Sequence, residues 1–195
     1  MRKNAKFDRD QVVEKAKDLY WEKGFHATSM RSLQDVIDMR PGSIYATFGS
    51  KEGLFKEALM RYTELGKAQL AKCVEENRSP IAALAAFIKL IVCKSQTDAP
   101  NGMCMLAKTV AELTDENADL LAQAKSCFKS MEQEFAKVIE QAQQQGEVTS
   151  DKSAQQLAKH VQVQIAGLRT YARANDGDDS LGLMIDEMFE NYPFR

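Results

Sequence analysis

The chain has 195 residues, room for one compact domain or for a small domain joined to a larger one. Hydrophobic residues make up 44% and charged residues 28%, with only 10 Gly and 4 Pro, which excludes a disordered chain, a collagen-like repeat and a loop-rich disulfide scaffold. The net charge of −2 conceals a gradient: residues 1–63 carry 12 Lys/Arg against 9 Asp/Glu, and the remainder carries 14 against 19. A mildly basic front end followed by an acidic body fits a unit that faces an anionic partner, or a chance scatter of solvated charge.

The opening residues Met-Arg-Lys-Asn-Ala-Lys lack the apolar core of a secretory signal. The longest apolar run, Ile81 to Cys93, spans 13 residues and includes Lys89, well short of the roughly 20 needed to cross a bilayer. A cytoplasmic protein with no membrane partner is therefore expected. Cys73, Cys93, Cys104 and Cys127 lie 20, 11 and 23 positions apart beside only two histidines, which predicts reduced thiols and no metal site. Neither G-x-S-x-G, nor a P-loop, nor H-E-x-x-H occurs, so an enzyme and a resident cofactor are not expected.

Helical periodicity runs through the chain and no strand pattern interrupts it, so the expected fold is all-α. Phe7, Asp8, Gln11 and Val12 form a complete helix-start signal, an N-cap with a capping box and a hydrophobic staple, and Gly24 supplies the stop: the first helix spans about 9–23. Thr28 is the expected N-cap of a second, short helix with Met30, Leu33, Val36 and Ile37 on one face. After Asp38-Met39, Pro41 begins a third helix that runs to about Phe48. Ser50 caps a longer one from Lys51 to about Glu76. Further helices are expected over 81–96, 103–113, 119–145, 153–174 and 181–192. Arg2, Lys3 and Lys6 precede them all, as a basic arm for an anionic partner or as a solubilising tail.

Two short helices joined by a tight turn, between longer ones, have the plan of a helix-turn-helix. The residues Gly24-Phe25-His26-Ala27-Thr28-Ser29, then Leu33, then Gly42-Ser43-Ile44-Tyr45-Ala46-Thr47-Phe48-Gly49-Ser50-Lys51-Glu52-Gly53-Leu54 resemble the N-terminal domain of the TetR family of bacterial repressors. The resemblance implies a helix-turn-helix DNA-binding domain over 1–50, with the helix from residue 51 as connector, and a larger helical effector-binding and dimerisation domain over 51–195. It further implies a homodimer that binds a palindromic double-stranded operator and is released by a small-molecule effector. Asp38 departs from the family's usual turn glycine, and Arg40-Pro41 from its usual serine-lysine, so a relative's operator sequence does not transfer.

On that likeness, Arg40, suited to a guanine edge or a phosphate, and Gly42, Ser43, Ala46 and Thr47 are the specificity candidates, with Pro41 and Ser29 in the same DNA-binding set. Thr28, Tyr45 and Lys51 are the phosphate-holding ones. Phe87, Ile91, Met103, Cys104, Met105, Phe128 and Met131 are candidate effector contacts, or plain core. The segment Asn101 to Leu106 resembles the opening of the sixth helix in family members, some of which sense electrophiles or oxidants, so Cys104 has a thiol-sensor reading beside an inert one. Leu157, Val161, Ile165 and Leu168, with Leu181, Ile185, Met188 and Phe189, form apolar stripes expected to meet a second copy in a four-helix bundle. A TetR-like scaffold acting through protein contacts without DNA is the alternative of another class.

Overall fold

The computed structural model describes residues 8–93, 102–175 and 180–195. The arm residues Arg2, Lys3 and Lys6, the staple residue Phe7, Asn101 and the expected helix end at Gln96 lie outside the described residues. Among those described, every long element is a helix: α1 (Arg9–Lys23), α2 (Met30–Ile37), α3 (Pro41–Phe48), α4 (Lys51–Glu76), α5 (Pro80–Val92), α6 (Met105–Glu112), α7 (Ala118–Gln144), α8 (Ala154–Ala174) and α9 (Leu181–Glu190). No helix among them is long and apolar enough to cross a membrane.

Local chemistry sets most boundaries. Asp8 caps α1 by accepting from the N–H groups of Asp10 and Gln11, Ser50 caps α4 through Gly53 N–H, and Pro41 opens α3 where no N–H is needed. Asp38 takes the left-handed position that ends α2, at φ 53°, which a short polar side chain tolerates better than most. One cap shifts by a residue. Ser29, not Thr28, caps α2, in a reciprocal pair with Ser32; the Thr28 hydroxyl donates instead to the Gly24 carbonyl at 2.6 Å from a fully buried position.

Two apolar cores form. The first gathers Leu19, Tyr20, Phe25, Leu33, Ile44 and Phe55 from α1–α4 and then takes in Met105, Leu106, Leu120 and Cys127 from α6 and α7. The second packs the rear of α4 with α5, the rear of α7, α8 and α9 around Leu84, Ile88, Ile139, Leu157, Val161 and Ile185. Helix α4 runs through both, and α7 does too. The head carrying α2 and α3 is thus seated directly on the body.

Candidate DNA-reading surface and effector cavity

Helix α3 presents a polar, open edge. Ile44 and Phe48 point into the first core, while Arg40, Pro41, Gly42, Ser43, Tyr45 and Ala46 are exposed and Thr47 is half-buried. A three-to-four-residue spacing on a two-turn helix forces this split. Arg40 stands at the N-cap with its side chain uncommitted among the described residues, and Tyr45 keeps half its surface in solvent. Ser29 is exposed at the start of α2, and Arg31 adds the other exposed cation of the α2–α3 pair.

Two expected phosphate contacts are turned inward. Thr28 is buried and bonded to Gly24, so it braces the α1–α2 turn and offers no hydroxyl to DNA. The Lys51 ammonium donates to the Phe25 carbonyl at 2.7 Å and lies 4.2 Å over the Phe25 ring. Burial lowers its pKa, opposed by Glu52 and Glu112. Lys51 therefore ties α4 to the α1–α2 turn.

Below the head lies a cavity of about 200 Å³ lined from α1, α4, α5, α7, α8 and the start of α6. Phe87, Ile91, Cys104 and Met131 line it as expected from sequence, and Leu106 and Phe135 complete its apolar wall. The remaining expected contacts lie elsewhere. Met105 is buried in the head core, Phe128 packs beside it, and Met103 borders a shallow outer depression with Lys108. The cause is a helix start two residues late: Cys104 is the N-cap of α6, which turns Met105 into the first core and leaves Met103 outside.

Its polar groups come from residues the sequence did not single out. Arg169, 5% exposed, donates from Nε to the Ile91 carbonyl at 2.9 Å and from a terminal nitrogen to the Tyr62 hydroxyl at 3.2 Å. The Tyr62 hydroxyl in turn faces Cys104 Sγ at 3.6 Å. Burial raises the Tyr62 pKa far above the ordinary phenol value, so this hydroxyl remains protonated at neutral pH. Trp21 stacks edge-on against Tyr62 with ring centres 5.1 Å apart, and its indole N–H donates to the Met103 carbonyl at 2.6 Å.

A clasp joins cavity and head. From α6, Lys108 donates to the carbonyls of Trp21 and Glu22 at 3.2 and 2.8 Å. Glu112 accepts the backbone N–H groups of Phe25 and His26 at 3.2 and 2.7 Å. This fit needs glycine at position 24, because its φ is 86° and a Cβ there would stand 2.4 Å from the Glu112 carboxylate. The turn entering the helix-turn-helix is thus held by the helix that begins at the cavity.

Residues 12–58 match the family described as bacterial regulatory proteins, tetR family, and residues 80–188 match the tetracyclin repressor-like C-terminal domain. The HTH-type transcriptional repressor ComR of Escherichia coli K12 is 31% identical over 169 residues, covering 86% of this chain and 80% of that protein. The chain belongs to the TetR family. Among solved TetR structures, the regulator CifR, a cysteine mutant in complex with a 26-base-pair operator, superposes with a TM-score of 0.84 at 24% identity over 96% of this chain and 98% of that one. FadR of Bacillus subtilis in complex with stearoyl-CoA superposes at 0.76 and 15% identity, over 94% and 96% of the two chains. These likenesses show the fold. As a TetR-family member, the chain is a DNA-binding transcriptional regulator.

The dimer stripes expected from sequence need correction. Leu157, Val161, Ile165, Leu168, Leu181, Ile185 and Phe189 are buried inside the protomer, against α5 and α7, and Met188 packs partly against the same core. The seven buried side chains cannot also face a second TetR subunit, whereas Met188 keeps part of its surface exposed. The outward faces of α8 and α9 carry other apolar side chains: Val163 is 69% exposed, Leu183 61% and Met184 41%, with Gly167 beside Val163. Leu157→Ala is accordingly expected to cost about 2–5 kcal/mol in urea unfolding, as a core truncation. Sedimentation measured on the folded variant should be unchanged; a lower oligomeric state would return Leu157 to the subunit contact.

Proposed function

We propose that this regulator is a homodimeric repressor acting in the cytoplasm, which reads a palindromic operator through α3 and is released when a small molecule fills the cavity beneath the head. The exposed edge of α3 carries this reading, with Arg40, Gly42, Ser43, Tyr45, Ala46 and Thr47 arrayed over a buried Ile44–Phe48 side. Arg40 has the planar fork suited to a guanine edge, Tyr45 and Ser29 supply hydroxyls for phosphates, and the small Gly42, Ser43 and Ala46 let the backbone approach the groove. The repressor ComR and the operator-bound regulator CifR support the DNA reading, and FadR in complex with stearoyl-CoA supports response to a small molecule.

Release follows from geometry. Two copies of α3 must sit about 34–36 Å apart to enter successive major grooves, so a shift of a few ångströms spoils one half-site. Helix α4 runs from the head past the cavity residues Tyr62, Thr63 and Gly66, and the Lys108–Glu112 clasp gives α6 a second hold on the same head. A ligand against Cys104, Leu106 and Tyr62 pushes on both. By linkage, an effector that weakens operator binding 100-fold must itself bind the DNA complex about 100-fold less well, a coupling of about 2.7 kcal/mol.

The experiment is a gel shift on the DNA upstream of its own gene, with Arg40→Ala beside the parent protein. Arg40→Ala is expected to lose about 1–3 kcal/mol at the best site and to bind scrambled DNA unchanged. Equal loss on both DNAs would make Arg40 a phosphate contact, and no specific shift by the parent would defeat the repressor reading.

A further inference from the structure

The cavity contains a cation that meets no carboxylate among the described residues. Arg169 donates to two neutral acceptors, the Ile91 carbonyl and the Tyr62 hydroxyl, lies beside the Cys104 thiol, and among the described residues meets no carboxylate. Lys17, the other buried cation at this cavity, is different: Glu14 and Asp18 neutralise it. A guanidinium held away from water without an opposite charge is unfavourable unless something supplies one.

A second unmet group shares the space. The Gln162 carbonyl oxygen is buried and receives no hydrogen bond among the described residues. Gln162 and Arg169 are seven residues apart on α8, two turns on one face, hence roughly 10 Å apart along the axis. Between them the walls are apolar and partly aromatic: Phe87, Leu106, Met131, Phe135 and Ile165. The volume of about 200 Å³ is below that of most drug-sized clefts and suits a single ring or a short chain.

We propose that the effector is a small organic carboxylate, its anionic end paired with Arg169, its ring or short chain among Phe87, Phe135 and Met131, and a hydroxyl or N–H at the far end donating to Gln162. This deepens the reading of the cavity as the effector site and rests on it. Arg169 takes the carboxylate through the N–H groups not committed to Ile91 and Tyr62, a charge-assisted contact that excludes neutral molecules of the same shape. Gln162 excludes acids that lack the distal donor, because its oxygen then stays unpaired.

The test uses the full chain and calorimetric titration with 4-hydroxyphenylacetate and 4-hydroxybenzoate, against the corresponding amides and against phenylacetate and benzoate. At least one hydroxy acid is expected to bind, its amide about tenfold or more weakly, and its dehydroxylated acid several-fold more weakly. Arg169→Gln should erase the preference for acid over amide. Should that variant misfold by circular dichroism, Gln162→Leu serves instead: it should erase only the preference for the hydroxyl. Failure of every acid to bind, or equal binding of acids and amides by the parent chain, overturns the proposal. A gel shift run without any acid tests the repressor reading separately. Acids that bind with the stated preferences yet leave operator affinity unchanged would uphold this site and remove its effector role.

Discussion

Replacing Val163 and Leu183 together by glutamate is expected to convert the protein to a monomer and to lower operator affinity by about 100- to 10,000-fold. Both side chains stand mostly in solvent on the outer faces of α8 and α9, so the protomer core does not lose them. Buried against a second copy they contribute apolar area, and charged they would face their own symmetry mates across an isologous contact. A palindromic site is held by two heads at once, and the second binds at the high effective concentration that the first creates. Without the dimer that gain disappears. Sedimentation velocity reads the assembly, fluorescence anisotropy reads the affinity, and circular dichroism should be unaltered. A variant that still sediments as a dimer would place the subunit contact on another face.

Removing the Glu112 carboxylate should cost about 2 kcal/mol of stability and loosen the turn that leads into α2. Glu112 accepts two backbone N–H groups, one of them partly buried, and hydrogen bonds to a charged acceptor contribute about 1.5–3 kcal/mol each where water is excluded. The His26 bond is exposed, which lowers its share. In Glu112→Ala the Phe25 N–H loses its acceptor; Glu112→Gln keeps a neutral one and should recover about half of the loss. Urea midpoints give the energies, and faster exchange of the Phe25 and His26 amides localises them. Unchanged exchange at both amides would mean that the clasp does not hold the turn.

Most of the helical frame could be read from short-range chemistry. Asp8, Gly24, Pro41 and Ser50 each act within four residues of the boundary they set, so their effect is visible in a single window of sequence. Where two candidates compete within that window, long-range packing decides. Thr28 and Ser29 both suit an N-cap, and the winner is whichever hydroxyl remains outside once Phe25 and Leu33 close the core beneath them. Lys51 lies where a phosphate contact is expected, yet the Phe25 carbonyl, 26 residues earlier, captures its ammonium.

The cavity was legible in its apolar wall and illegible in its polar groups. Phe87 and Met131 fall on apolar stripes, whereas Arg169 reads as one more surface arginine until α5 and α4 cover it with the Ile91 carbonyl and the Tyr62 hydroxyl, 78 and 107 residues away. The subunit face was misread for another reason. Helix α9 carries apolar residues on more than one side, with Leu181, Ile185 and Phe189 inward and Leu183 and Met184 outward among the exposed acids Asp186, Glu187 and Glu190, and periodicity cannot say which side packs within the chain. The outward side of α8 carries only Val163, Gly167 and Tyr171 at four-residue spacing between polar residues, and gives a weak signal.

The head's core is closed by Leu106, Leu120 and Cys127, contributed from far beyond the helices that read DNA. During synthesis the helix-turn-helix is complete once residue 58 has emerged, but the side chains that seal it arrive about 70 residues later, roughly 3–14 s at 5–20 residues per second. Until then Phe25 and Phe55 lack part of their cover, and Gly24 has no Glu112 against it. A chain that ends before α6 is therefore expected to hold its helix-turn-helix less firmly, and so to bind an operator more weakly, than the full chain.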